Sequence, residues 1–162
     1  MYLVRFTLTT LIVLAMAFPG ALSAQNGTPP QNVTVSWDIY PGAEFGSCTF
    51  PINLSAEGKG KTIVIPGGRL ILTSPGLVAV VTNLNDPSKK TTITITGSFH
   101  VSPTSDGGQY FMATGRNFLT DPLAGVVVAI GNVSWSIDST GKLTQPLKMQ
   151  GGQLINICEL LK

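Results

Sequence analysis

Strict alternation of apolar and polar residues is the feature that most restricts how this chain can fold. In NVTVSWDIY (32–40), three aliphatic residues and Trp37 alternate with polar ones, and TTITITGSFHV (91–101) repeats the pattern with isoleucine and threonine. A period of two residues is typical of a half-buried β-strand, because successive side chains of a strand point to opposite faces. Both stretches are therefore predicted to be strands, each with its larger apolar side chains in a core.

Turn signals divide much of the remaining chain into further short strands. Asp86-Pro87 is a natural turn opener, and Asp106-Gly107 is a strong hairpin signal. The segment LVAVVTNL (77–84) is apolar on both faces at its start, which favours a central strand. About nine strands with tight connections predict an all-β fold, a single antiparallel meander that forms a β-sandwich or a small flattened barrel.

Two segments of the second half refine this prediction. The apolar residues of 126–130 and of 133–137 keep different phases, so a β-bulge is expected at Gly131-Asn132. TGRNFLTDP (114–122) is the most polar segment, and RNFLTDP (116–122) within it is predicted to be a loop. These are the places where a regular pattern of strands and tight turns is expected to break.

The end of the chain is predicted to be a short helix held by a disulfide. Leu154, Ile157 and Leu161 have helical spacing, whereas MQGGQ ahead of them is typical of a turn. Cys48 and Cys158 are the chain's two cysteines, and in an exported protein two cysteines most simply form one bridge. The alternatives are a reactive thiol or half of a metal site. The chain-entropy model gives a bridge over so long a loop roughly 4–5 kcal/mol.

The first residues have the order of a secretory signal peptide. One positive charge, an uncharged apolar run and small residues follow one another, and the run is short for a membrane span. Cleavage is expected after Ala24, with Ser23 as the alternative. The sequence thus predicts a signal segment at 1–24, a flexible arm at 25–31 and one β domain at 32–162, and a secreted, extracellular protein.

The charge balance restricts the class of partner. Ten basic and eight acidic residues give a net charge of +2, which removal of Arg5 with the signal segment lowers to +1. Such a chain has no basic surface for nucleic acid or for an anionic membrane. We expect no nucleic-acid partner and no membrane span after cleavage. An extracellular polysaccharide or protein is the expected kind of partner.

The sequence carries no recognisable catalytic motif. His100 is the single histidine, Ser98 shares its strand face, and Asp106 lies beyond the next turn, but neither GxSxG nor HExxH occurs. One histidine cannot build a multi-histidine metal centre. No catalytic residue, cofactor or metal ligand is therefore predicted. A hydrolase that uses His100 is kept as an alternative.

Two other groups of residues are candidate sites. In the predicted loop, Arg116, Asn117 and Asp121 form a candidate binding site, unless Arg116 and Asp121 only brace the loop. Asn-X-Ser/Thr sequons, which would accept glycans in a eukaryotic secretory pathway, occur at Asn26, Asn32, Asn53 and Asn132.

The threonines of TTITITGSFHV have a second interpretation. Regular threonine arrays can bind ice or a crystalline polysaccharide, because they repeat hydroxyl and methyl groups at strand spacing. That function needs many parallel copies of the motif, and this chain has one. Ordinary strand surface is therefore the expectation.

Several short motifs carry a resemblance to a known group of proteins. CTFP starting at Cys48, GRN in 115–117, GN before the last tryptophan and the ending IC-x-LL occur in this order. In these motifs the chain resembles small exported all-β proteins of uncharacterised function from actinobacteria and some other bacteria. The resemblance covers roughly residues 45–162, implies an exported β domain and transfers no catalytic residue.

The function expected from these observations is that of a secreted, non-enzymatic β domain, either a binding module or an extracellular structural module. The first alternative is a carrier of a small apolar ligand, with a β-barrel cavity lined by the apolar segments 77–81 and 126–130. The second alternative is the hydrolase based on His100.

Overall fold

The computed structural model describes residues 29–43 and 46–162. Within these ranges the chain forms nine strands and one short helix: β1 (Gln31–Ile39), β2 (Ile52–Ile65), β3 (Arg69–Thr73), β4 (Leu77–Asn83), β5 (Lys90–Ile95), β6 (Ser98–Pro103), β7 (Gln109–Asp121), β8 (Gly125–Ile137), β9 (Leu143–Asn156) and α1 (Ile157–Leu160). The predicted all-β class and short C-terminal helix are confirmed. The predicted signal segment and most of the arm lie outside the described residues, and Gln31 of the arm already belongs to β1.

The strands form one antiparallel sheet that does not close into a barrel. Their order is β5-β4-β2-β3-β6-β7-β8-β9, and β1 pairs with β2. The first residues of β2 pair with β1 and β4, whereas its last residues pair with β3. Because β2 is shared, we call β1-β2-β4-β5 the four-stranded part and β2-β3-β6-β7-β8-β9 the six-stranded part. Unlike in a simple meander, β2 pairs with β4 and β3 with β6.

The stretch 91–101, predicted as one strand, is two strands in different parts of the sheet. β5 ends at Ile95 and β6 begins at Ser98. The chain turns at Gly97, whose amide donates to the Arg116 carbonyl at 2.9 Å. A Cβ at this glycine would overlap the Asn117 side chain, so the corner requires glycine. The alternation was correctly interpreted as strand, but it does not show that the chain passes from the four-stranded to the six-stranded part at this point.

A first core lies on the inner side of the four-stranded part. It is almost entirely aliphatic, and its fully buried members include Ile39, Ile52, Leu54, Leu77, Val81, Val126, Ile157 and Leu161. The inner residues of β4 are buried between β2 and β5, which confirms the predicted central strand.

A second core lies within the six-stranded part and is centred on aromatic rings. Trp135 stacks on Phe111, with ring centroids 5.2 Å apart and an interplanar angle of 9°. Phe99 meets Trp135 edge-on at 5.1 Å. Leu70, Leu72, Leu147 and Met149 pack around this cluster.

One half of the β7–β8 pair separates the two cores. Phe118 and Val128 are buried in the first core, whereas Leu119 and Val127 are buried in the second. Both faces of this half are therefore covered. The loop predicted over 116–122 is wrong, because these residues continue β7 to Asp121 and turn only beyond it. The polar composition of RNFLTD concealed a strand that pairs with the apolar start of β8.

The expected bulge is present, but its extra residue lies in the neighbouring strand. Gly131 and Val133 of β8 are two residues apart, whereas their partners Gly152 and Met149 are three apart. The β7–β8 register continues through Gly131 without a break. The turn predicted at MQGGQ is wrong, because β9 runs through these glycines. Their positive φ angles, 135° at Gly151 and 106° at Gly152, let the strand bulge without ending.

The helix α1 closes the open end of the first core. Asn156 caps it by accepting from the Glu159 amide at 3.2 Å. Buried Asn83, at the end of β4, donates to the Leu161 carbonyl at 3.0 Å. Leu154 belongs to β9. The helix therefore starts after the first of the residues whose helical spacing predicted it.

Candidate functional site

The three residues of the candidate binding loop lie on the strand β7 rather than in a loop. Asn117 is buried, donates to the Thr114 carbonyl at 2.9 Å and packs against Gly97. Asp121 is also buried and accepts from the Leu123 and Ala124 amides at 2.9 and 2.8 Å. Arg116 is exposed. The two buried side chains thus stabilise a corner and a turn.

His100 lies on β6 between Ile71 of β3 and Met112 of β7. It is half-buried. Among the described residues no hydrogen bond joins its ring to a serine or a carboxylate. The described residues therefore include no hydrogen-bonded catalytic partner for His100, and the hydrolase alternative stays a prediction.

The predicted disulfide between Cys48 and Cys158 is present. The Cα atoms are 5.3 Å apart, and the bridge spans 110 residues. Neither cysteine is free. In the described part of the chain, no group of three or more histidine, cysteine or acidic residues is placed to hold a metal ion.

Three aspartates serve as turn residues. Asp138 accepts from the Thr140 hydroxyl at 2.6 Å and from the Lys142 amide at 3.0 Å. The hydroxyl bond and then the amide bond are the main causes that lower the pKa of this carboxyl. Side-chain hydrogen bonds from Thr104 and Ser88 are likewise the largest causes of the lowered pKa values of Asp106 and Asp86. Such bonds are typical of tight turns.

A set of mostly polar side chains lies in register on the outer side of the four-stranded part. Strand pairing aligns side chains there in three rows across β1, β2, β4 and β5: Asp38-Asn53-Thr82-Lys90, Ser36-Ser55-Val80-Thr92 and Thr34-Glu57-Val78-Thr94. We call these twelve residues the polar face. The residues of its edge strands β1 and β5 are exposed, and those of its central strand β4 are half-buried.

One corner of the polar face is preorganised by hydrogen bonds. Asn53 donates to the Asp38 carboxylate at 2.8 Å and to the Ser36 hydroxyl at 3.2 Å. The Tyr40 hydroxyl donates to the other Asp38 oxygen at 3.4 Å, and its ring is 60% exposed. A carboxylate, an amide and an aromatic ring thus meet beside a row of hydroxyls.

Sequence reasoning found only fragments of this face. The threonines of 91–101 suggest an array in the sequence, but the sequence predicts no partners on other strands for Thr92 and Thr94. Pairing with β4 places Val80 and Val78 beside them, and β2 and β1 complete each row. The polar half of NVTVSWDIY was the signal that could have extended the array to another strand.

The sequons are placed differently with respect to this face. Asn53 belongs to it, and its amide is already hydrogen-bonded. Asn32 is exposed at the start of β1, and Asn132 is exposed on β8. Asn26 lies outside the described residues.

The barrel expected for an apolar-ligand carrier is not formed, because the sheet is open. The two segments predicted to line its cavity, 77–81 and 126–130, instead contribute Leu77, Val126 and Val128 to the first core.

Comparison with known proteins gives no relative for this chain. No family model, no curated protein and no solved structure matches it significantly. The resemblance to exported actinobacterial proteins therefore stays a prediction. The single helix in the described part of the chain is too short to span a membrane.

Proposed function

We propose that this protein is a secreted, non-enzymatic binding module that attaches to an extracellular polysaccharide through the polar face. The observation that carries the proposal is the alignment of hydroxyl, amide and carboxylate side chains in register across four strands. Export is supported by the order of residues 1–24 and by the disulfide, since structural disulfides persist in oxidising compartments.

The chemistry of the face suits a carbohydrate polymer. Hydroxyl and amide groups both donate and accept hydrogen bonds, as the hydroxyls of a sugar do. The half-buried Val78 and Val80 supply apolar contact for the C–H faces of the rings. Two acids, Asp38 and Glu57, are the face's negative charges and Lys90 its positive one, so no strong field of one sign favours a highly charged partner.

The geometry suits an ordered surface better than a single small molecule. Neighbouring strands of a sheet are about 4.8 Å apart, and side chains on one face repeat about every 7 Å along a strand. A polymer with repeated hydroxyls can therefore contact several rows at once. Many weak hydrogen bonds made together give retention that no single one provides.

Retention on insoluble polysaccharides tests this proposal. The exported protein is incubated with cellulose, chitin and isolated bacterial cell wall, and bound and free fractions are quantified. Ser55→Arg places a bulky side chain in the middle row, and we expect at least about a tenfold loss of retention. Ser139→Arg, in the exposed β8–β9 turn, is the matched control and should bind as the wild type does.

Thermal melting of both variants separates loss of binding from loss of fold. Absence of wild-type retention on every polymer, or equal retention of the two folded arginine variants, would contradict the proposal.

A further inference from the structure

The edges of the sheet differ in how well they are protected against pairing with another chain. β9 is a long edge, but it contains Pro146 and Lys148, and three register shifts interrupt its pairing with β8. Prolines, lysines and bulges are the devices by which natural edge strands avoid further pairing. β5 is a shorter edge of six residues and begins with Lys90.

β1 has none of these protections. It spans nine residues, is free of proline, lysine, arginine and glycine, and pairs in the described structure only with β2. Its register with β2 runs without a bulge from Gln31 to Ile39. A long and regular edge of this kind is a template for another strand.

The core beside β1 is also incompletely covered. Val35 and Trp37 face the first core, yet both remain only partly buried, whereas Ile39 on the same side is fully buried. A strand added outside β1 would shield the edge of this tryptophan from water. The uncovered edge and the incompletely buried residues lie on the same strand.

We propose that β1 pairs with β1 of a second copy of this chain, antiparallel and about a two-fold axis at Val35. This register places Val33 beside Trp37 of the second copy, Thr34 beside its Ser36 and Asn32 beside its Asp38. Four-stranded parts of the two copies then form one eight-stranded sheet.

The sequence of β1 is self-complementary in this register. An aromatic residue meets a β-branched one, which is a favourable cross-strand pair. An amide meets a carboxylate, so Asp38 never faces Asp38 of the other copy, and no like charges oppose each other. A two-fold interface needs one patch that matches itself, and β1 fulfils that condition.

Light scattering of the exported protein over a range of concentrations tests the proposal. The wild type should show twice the mass of one chain. In the proposed register residue 34 faces residue 36 of the second copy. The double variant Thr34→Lys/Ser36→Lys therefore creates two pairs of opposed lysines, and should raise the dimer Kd by at least about tenfold. Both positions are exposed, which makes the variant compatible with the monomer fold.

Two further variants make the result specific. Thr34→Glu/Ser36→Glu should weaken the dimer in the same way, and a mixture of the lysine and glutamate variants should restore dimers. Thr92→Lys/Thr94→Lys, on exposed positions of β5, is the matched control and should stay dimeric. A monomeric wild type overturns the proposal. Lysine variants that remain dimeric also overturn the proposal. A mixture of lysine and glutamate variants that stays monomeric contradicts the proposed β1–β1 register.

Discussion

The first core joins segments that are far apart in the sequence, whereas the second is built mainly from strands that follow one another. β1, β2, β4 and β5 meet Phe118 of β7, the start of β8 and α1 in the first core. The second core lies within β6–β9, with β3 added at its side. The first is aliphatic and carries the disulfide, and the second is held by three aromatic rings without a covalent link.

This difference teaches how each core is stabilised. Closing long loops costs conformational entropy before any apolar contact is gained, and a disulfide removes much of that cost from the unfolded chain. Local hairpins need no such help, and large rings bury much apolar surface at once. Because the polar face is the outer side of the first core's strands, the candidate site depends on the core that needs the bridge.

Removal of the bridge should have the largest effect and should be confined at first to one core. We expect Cys48→Ser/Cys158→Ser to lower the free energy of unfolding by about 4–5 kcal/mol. Denaturant unfolding measures the loss, and hydrogen exchange shows its location. Amides of β1, β4 and β5 should lose protection before those of β6–β8. Wild-type protein under reducing conditions is the control. A uniform loss of amide protection across both cores would contradict the distinction between them.

Truncation of an aromatic ring should produce the opposite pattern. Trp135 is 6% exposed and contacts both phenylalanines of the cluster. Trp135→Ala leaves a cavity and should cost about 3–4 kcal/mol, with the first loss of protection in β6–β8. Trp37→Ala, the same truncation at a half-buried position, should cost less. Equal losses would show that the second core does not depend on its rings.

Acidification should have the smallest effect on stability. It tests the comparison of the two cores at the hairpin tips. Asp106 is exposed and Asp138 is half-buried. Hydrogen bonds, first of all those from Thr104 and Thr140, hold their pKa values below the ordinary 3.8. Since the ionised forms are favoured in the folded state, this stabilisation is present above about pH 4 and is lost as pH falls through the lowered pKa values.

The melting temperature should therefore fall on acidification below about pH 4, and less so in Asp106→Asn/Asp138→Asn than in the wild type. Asp86→Asn, at a turn beside the first core, provides the comparison for the other end of the molecule. Identical pH profiles for the wild type and the double variant would refute a contribution from these turns.

Local alternation predicted the strands and the buried side of each, but not which core that side enters. Ile93 and Phe99 have the same phase in the sequence, and both are buried as expected. They enter different cores because the chain turns at Gly97, whose need for glycine arises from Asn117, twenty residues later. A contact at that separation leaves no local signal.

The same limit applies to the candidate site. Asn117 and Asp121 were assigned to a binding loop because polar residues are common in loops, yet both are buried and satisfied by backbone groups. The polar face was hidden for the converse reason. Each strand contributes only one to three polar residues, and their alignment results from pairings of β2 with β4 that do not follow chain order.

The position of the disulfide also determines how the domain would bear tension. Among the described residues, every strand except β1 lies inside the segment that Cys48 and Cys158 enclose. A pull on the residues that flank the domain would pass from one cysteine directly to the other, so the eight enclosed strands would carry almost no load. Under force the chain would lengthen only by peeling off β1, and a bridged domain anchored to a surface would keep its remaining strands folded while pulled.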